Sequence, residues 1–448
     1  MMKYFIETYG CQMNVHDSER IAGLLDQSGY ESTPDLDAAD IVVINTCSVR
    51  ERAEDKLYTR LGEVRQASRQ NGRTPVVAVA GCVAQQEGTA LLRRSKMIDV
   101  IVGTQSIKQL PALIEQALAE PDAAPRVDIN AYEDVSFPLG VARRDDPVKA
   151  YVTIIEGCNE FCSFCVVPYT RGHERMRPKR DIINEVIQAA GEGHREIQLL
   201  GQIVNHYQAP DDSSCDFAAL LETVHEVPGV ERVRFASPHP RHVPARLIEA
   251  VRDLPKVCKH FHLPAQSGST SVLERMRRRY TRESYLELVA TLRDAVPGIT
   301  LTTDMIVGFP GETDAEFDET LSLTKAVRYE SMFSFKYSPR PNTLALQRYP
   351  DEVADAEKTR RIVELQALQR DIQIELHATA VDSVVDVLAD SIGRRSVNEL
   401  SGRTGGNTVV SFKGPAAWLG RIVPVRVRRA GPYSLWGDAE LDRARSEA

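Results

Sequence analysis

The sequence predicts an α/β chain in three parts: a small parallel α/β unit, an open or partial (βα)6 barrel and a small closing β-barrel. Three patterns predict it. Short apolar, β-branched runs such as Ile41-Val42-Val43-Ile44 alternate with helical stretches at the start of the chain. Six strand-then-helix repeats follow in the middle. Short β-rich segments separated by glycines close it.

Lys3 to Thr8 reads as the first strand and leads into Tyr9-Gly10-Cys11-Gln12-Met13-Asn14 and a helix with Ile21, Leu24 and Leu25 on one face. Asp40 to Cys47 has the length and β-branched content of a buried parallel strand, and the charged stretch from Val49 to Gln70 reads as its helix. Pro75 to Gly81 repeats the pattern and ends at Cys82. Asp99 to Val102 and a helix over Ile107 to Leu118 complete the unit, taken as 1–120. Cys11, Cys47 and Cys82 thus each follow a strand, and the C-terminal ends of parallel strands line one edge where ligands bind. Their wide separation in sequence leaves open whether they are ligands or ordinary buried thiols.

A polar Pro- and Ala-containing stretch, 121–148, reads as a linker. The barrel follows over 149–378, a trailing helix from Asp351 to His377 included. Its strands are expected at Tyr151 to Glu156, Glu196 to Gly201, Arg232 to Ala236, His260 to Pro264, Thr300 to Val307 and Ser331 to Tyr337, with the active site at their C-terminal ends. Several of those ends carry polar groups or turn glycines: Gln202 and Asn205, Ser237, Gln266, then Gly308 and Glu312. His260 and His262 share one face of a strand and read as packing or hydrogen-bonding groups. Cys215 reads as a loop thiol and Cys258 as a packing thiol.

After the first barrel strand comes Gly157-Cys158-Asn159-Glu160-Phe161-Cys162-Ser163-Phe164-Cys165, with thiols spaced C-x3-C-x2-C. Three thiols from one short loop reach three corners of a cubane cluster and leave one iron open, whereas a closed structural zinc site needs a fourth ligand, absent nearby. A zinc knuckle is the alternative. The loop resembles the signature of the radical S-adenosylmethionine superfamily, in which the open iron chelates S-adenosylmethionine, and Phe164 matches the aromatic usual in that signature.

The closing unit, 379–440, is expected to place strands at Val384 to Leu388, Thr408 to Phe412 and Ile422 to Val427. The whole chain carries a formal charge of −8, which gives no global case for nucleic acid. From Gly393 to Tyr433, however, Arg394, Arg395, Arg403, Lys413, Arg421, Arg426, Arg428 and Arg429 face the single acid Glu399, a pattern suited to phosphate contacts. Arg171, Arg175, Arg177, Lys179 and Arg180, with Arg275, Arg277, Arg278 and Arg279, are expected to extend that patch. The composition is that of a globular protein, with 42% hydrophobic and 26% charged residues. The N-terminal segment lacks a basic-then-apolar signal and no apolar run nears the ~18 residues of a membrane helix, so a cytoplasmic location is expected.

Taken together, the chain resembles the methylthiotransferase family of the radical S-adenosylmethionine superfamily, with a TRAM-like C-terminal barrel. Tyr9 to Asn14, Asn45 to Glu51, Leu263-Pro264-Ala265-Gln266-Ser267-Gly268-Ser269 and Tyr337-Ser338-Pro339-Arg340 carry the resemblance. It is most similar to the branch that adds a methylthio group to isopentenyladenosine beside the tRNA anticodon. The resemblance implies two 4Fe-4S clusters, on Cys158, Cys162, Cys165 and on Cys11, Cys47, Cys82. It also implies S-adenosylmethionine as radical source and methyl donor, bound near Phe164, Gln202, Asn205, Ser237, Gln266, Gly308 and Glu312. A tRNA carrying isopentenyladenosine, an electron donor such as flavodoxin or ferredoxin, a sulfur source and a monomeric chain are the implied partners and state. Two residues depart from the branch: Ile203 where a second amide is usual, and Asn342 where glycine is usual. The ribosomal-protein aspartate methylthiotransferases, which share the six thiols, and a non-catalytic iron–sulfur or zinc RNA-binding protein remain as alternatives.

Overall fold

A computed structural model describes residues 1–48, 51–131, 137, 139–393 and 398–440, with the backbone alone at 51 and 52. Its first unit is a six-stranded, wholly parallel sheet. The strands are Lys3–Tyr9 (β1), Glu31–Ser32 (β2), Ile41–Thr46 (β3), Val76–Gly81 (β4), Val100–Val102 (β5) and Arg126–Asp128 (β6), in the order β2-β1-β3-β4-β5-β6. β3 and β4 are buried along their whole length, as continuous β-branched runs in a two-sided sheet should be. Alternation divides the core between the faces. Ile41 and Val43 meet Ile21 and Leu25 on one side, while Val42 and Ile44 meet Leu57, Leu61 and Val64 of the helix Glu51–Asn71 on the other. Each such fully buried side chain contributes about 1.5–3 kcal/mol. β6 lies inside the stretch expected to be a bare linker; pairing with β5 makes it the sheet's edge strand, too short for a sequence pattern to mark.

The second unit brings six strands into two parallel triplets. Lys149–Thr153 (β7) is followed by the short antiparallel pair Ile155–Glu156 (β8) and Arg175–Met176 (β9), which frames the cysteine loop. Glu196–Leu200 (β10) and Arg232–Phe235 (β11) complete the order β11-β10-β7; His260–His262 (β12), Thr300–Val307 (β13) and Ser331–Lys336 (β14) form β12-β13-β14. A lone parallel bridge, Val233 to Val257, spans the triplets, and one apolar core runs beneath both. This is the partial barrel that the repeats predict.

The third unit is a closed barrel of Val384–Ile392 (β15), Glu399–Thr404 (β16), Val409–Lys413 (β17), Ile422–Ala430 (β18) and Leu435–Ala439 (β19), ordered β15-β16-β17-β19-β18. β16 and β19, which the sequence pattern does not mark, close it around Leu400, Val410, Phe412 and Val425. The barrel packs on the strand starts of the central unit. The Arg234 guanidinium donates to the carbonyls of Thr404 (2.6 Å) and Gly405 (3.3 Å), Thr300 Oγ1 donates to Gly406 (2.8 Å), and Lys149 pairs with Asp390 (2.9 Å).

Candidate active site

Cys11, Cys47 and Cys82 follow β1, β3 and β4, three neighbouring strands, so one sheet edge gathers them. Local backbone brings them close. Gly81 has φ +90°, and a β-carbon there would lie 2.2 Å from Asn45 Oδ1. Asn45 in turn donates to the Asn14 carbonyl (2.8 Å) and Ser18 Oγ (2.9 Å), while the Cys11 thiol donates to Asn14 Oδ1 (3.5 Å). A hydrogen bond from Cys47, against burial and with help from Arg171, holds the Cys11 thiol down at about 5, whereas burial pushes Cys82 up. The buried Arg171 cation thus bears on both Cys11 and Cys82.

The second triad sits in the loop after β8. Gly157, at φ +81°, lets the chain pass where a β-carbon would be 2.1 Å from the His173 carbonyl. Main-chain bonds from Cys158 to Gly172 (3.1 Å), Ser163 to Met276 (3.0 Å) and Cys165 to Cys162 (3.0 Å) fix the loop. The Arg278 guanidinium, buried, donates to Cys162 Sγ (3.3 Å) and to the Pro264 carbonyl (3.2 Å), braced by Tyr280. Burial raises Cys158 to about 11 and Cys165 to about 12, so both thiols keep their protons until a metal replaces them.

The donor sets fit cubane clusters. Each triad supplies three free thiols, gathered at one sheet edge or in one loop, the soft donor set that a cubane takes while one iron stays open. Cys215 and Cys258 lie buried in the barrel unit, Cys215 within its core, and belong to neither set.

A cavity of about 620 Å³ joins all three units. Cys11, Gln12 and Cys47 line it from the first; Tyr151, Phe235, Ser237, His262, Asp304 and Phe333 from the barrel; Arg403, Asn407 and Tyr433 from the third. His262 and Asp304 stand 3.3 Å apart there. Beyond the shared face of His260 and His262, no sequence pattern marks that pair.

The residues expected to bind S-adenosylmethionine divide. Ser237, at φ +60°, lines the cavity, and Gln202 presents a buried Oε1 with no hydrogen-bond partner. Gln266, at φ +69°, ties its loop to β13 through Asp304 and Ile306. Asn205 instead turns its amide to the backbones of His239 and His242. Glu312 pairs with Arg361 (2.9 Å) and accepts from the Gly308 N–H (2.6 Å), and Phe164 packs against a core of Val272, Met276, Phe309, Tyr337 and Ala345. Asn205 and Phe164 thus hold the scaffold together, while Glu312, like Gln202, keeps a buried side-chain oxygen, Oε1, without a hydrogen-bond partner. Asn342 sits at φ +65°, where asparagine is the side chain that substitutes most readily for glycine.

The basic residues also divide. Lys413 and Arg421 are exposed, and Arg403 reaches the cavity. Arg426 pairs with Glu440 (2.5 Å) and Arg428 with Asp438 (3.1 Å), while Arg429 stacks on Trp436 at 4.0 Å. The acids lie just outside the stretch from Gly393 to Tyr433: over 379–440 the eight basic residues face six acidic ones. Arg394 and Arg395 fall outside the described residues. The expected extension of the patch fails in most of its members. Arg171 is buried against Asp17, while Arg177 pairs with Glu185, Arg275 with Glu316 and Lys179 with Asp212, and Arg278 points to Cys162. Arg180, Arg277 and Arg279 remain exposed.

Fold and thiol geometry define a radical S-adenosylmethionine enzyme, and family models agree. Residues 152–324 match the radical SAM superfamily, 3–103 match uncharacterized protein family UPF0004, and 379–439 match the TRAM domain. Among solved structures, the radical S-adenosylmethionine methyltransferase TsrM from Kitasatospora setae shares the fold with a TM-score of 0.55 at 14% identity. The match covers 87% of this chain and 78% of that one. The cobalamin-dependent enzyme OxsB matches with a TM-score of 0.52 at 11% identity, over 83% of this chain and 56% of its own. Two curated relatives are named tRNA-2-methylthio-N(6)-dimethylallyladenosine synthase. That of Geobacter metallireducens is 46% identical over 97% of both chains, and that of Thiobacillus denitrificans 44% identical over 98% of both. The chain belongs to the tRNA-2-methylthio-N(6)-dimethylallyladenosine synthase family.

Proposed function

We propose that this enzyme replaces the C2 hydrogen of isopentenyladenosine in tRNA by a methylthio group. The observation that supports it most is the single cavity shared by Cys11 and Cys47, the barrel interior and the RNA-suited third unit. An aromatic C–H is not acidic enough for a side-chain base, so the reaction calls for radical chemistry. Two 4Fe-4S clusters and S-adenosylmethionine, when bound, supply the electron, the hydrogen-abstracting radical, the sulfur and the methyl group.

The chain's own residues hold and shield these parts. Cys158, Cys162 and Cys165 hold the barrel cluster, with Arg278 oriented on Cys162; Cys11, Cys47 and Cys82 hold the other. Gln202 and Ser237 are the best placed of the expected S-adenosylmethionine contacts. Tyr151, Phe235 and Phe333 give the cavity aromatic walls against which an unstacked purine and its apolar substituent can lie. His262 and Asp304 offer polar atoms to a base edge. Lys413, Arg421 and Arg403 take the RNA backbone. The units divide the work as 1–120 extended to β6, 149–378 and 379–440. An external one-electron donor, a sulfur source, a cytoplasmic site of action and a monomeric enzyme complete the reading. Among the described residues no helix is long and apolar enough to cross a membrane.

Nucleoside mass spectrometry of tRNA from a strain lacking the gene tests the proposal. Isopentenyladenosine should accumulate and its 2-methylthio form vanish; an unchanged nucleoside profile would refute it.

A further inference from the structure

Between the two triads lies a buried charge that neither one accounts for. Arg171 follows Cys165 by six residues, so it belongs to the barrel's cysteine loop, yet its side chain is buried against the first unit. Its guanidinium donates to Asp17 Oδ2 at 2.6 Å, the helix that begins at Cys82 packs on the turn Val167–Thr170 just before it, and its charge bears on Cys82 and Cys11. The main chain is clamped as well: the Thr170 carbonyl accepts from Thr104 Oγ1 (2.5 Å) and the Arg171 carbonyl from Gln105 Nε2 (2.9 Å), both residues following β5. Nearby, Arg20 and Glu156 form a second buried pair at 2.9 Å, so the boundary is built of matched charges.

We propose that Arg171, held by Asp17, is a positioning residue that sets the reduction potential of the N-terminal cluster from the barrel side of the boundary. This rests on the reading that Cys11, Cys47 and Cys82 hold a cluster. Reduction adds a negative charge to a cluster, and net charge, hydrogen bonds to sulfur and burial set its potential. A guanidinium cannot lose its proton, and in a site this dry its field is weakly screened. Arg171 therefore favours the reduced state, and Asp17, with the opposite charge, offsets part of that effect while fixing the geometry. The two side chains act with opposite sign, which separates an electrostatic role from a merely structural one.

The test uses the full-length chain with Cys158, Cys162 and Cys165 changed to alanine, reconstituted anaerobically so that one cluster remains, and titrated redox-wise by electron paramagnetic resonance. Asp17→Asn should raise the midpoint, with the reduced-to-oxidised ratio at fixed potential up about tenfold, which is about 59 mV for one electron. Arg171→Met should lower it, and Arg171→Lys should stay near the parent. Shifts of the same sign, no shift, or loss of iron from both Asp17→Asn and Arg171→Met would overturn the proposal. A parent protein that holds no iron would instead remove the cluster reading on which it rests.

Discussion

The six thiols separate into two sets with different surroundings, and their substitution should separate two activities. Cys162→Ala removes a ligand of the barrel cluster and should abolish both reductive cleavage of S-adenosylmethionine and product. Cys47→Ala should leave cleavage within about twofold of the parent and stop methylthio transfer; full product from it would show that the first unit is not the sulfur donor. Gly81→Ala tests the backbone that delivers Cys82. At φ +90° an alanine costs about 1–3 kcal/mol, before its β-carbon meets Asn45. Thermal unfolding should drop accordingly, and roughly half the iron should be lost; a parent-like iron content would contradict the proposed packing. The cysteines are legible in the sequence because thiol spacing and strand ends are written locally. Arg171 and Arg278 look there like surface charge, because only the fold shows a long side chain turning inward to a sulfur or a carboxylate.

The helix Gln12–Gln27 joins units rather than capping one. Ile21 and Leu25 pack on its own sheet, while His16 shares a hydrogen bond with Thr153 (2.7 Å) and Arg20 reaches Glu156 across the boundary. Glu19 on the same helix is buried, and burial raises its carboxyl to about 8. A carboxyl raised on folding favours the folded state below the ordinary carboxylate range, and that advantage is lost as pH rises toward 8. The Glu19 contribution should therefore fall over that window, by up to about 1.4 kcal/mol per pH unit, against the opposite slope of buried His16, held down at about 4, and Glu19→Gln should remove it. Melting temperatures of the parent and of Glu19→Gln that run parallel from pH 5 to 8 would contradict it. In the third unit, Lys413→Gln with Arg421→Gln should weaken tRNA binding and flatten its salt dependence by about 0.7 for each phosphate no longer neutralised. An unchanged slope would remove the β-barrel from the RNA interface. Long strands such as β13, and short apolar ones such as β5, are visible in the sequence by their pattern; β2, β6, β16 and β19 are not, because they carry no run of apolar, β-branched residues and are defined by their neighbours.

At the scale of the whole molecule, three units enclose one cavity, and no sequence pattern could announce it. Its walls come from residues as distant as Cys11, Phe333 and Tyr433, and the docking of the third unit depends on Arg232 and Arg234, which read in the sequence as ordinary strand residues. With both triads loaded, the protein should hold about eight irons, four for each cubane. Stoichiometric zinc would contradict both clusters. This cavity opens on Cys11 and Cys47 and on the barrel interior, and there a tRNA base meets the N-terminal triad. Reconstituted protein should be incubated with S-adenosylmethionine, sulfide and reductant, and offered isopentenylated tRNA, unmodified tRNA or ribosomes, with the products digested and weighed. The account predicts a methylthio mass increment on the isopentenylated nucleoside alone; an increment on an aspartate of a ribosomal protein, with the nucleoside unchanged, would contradict it.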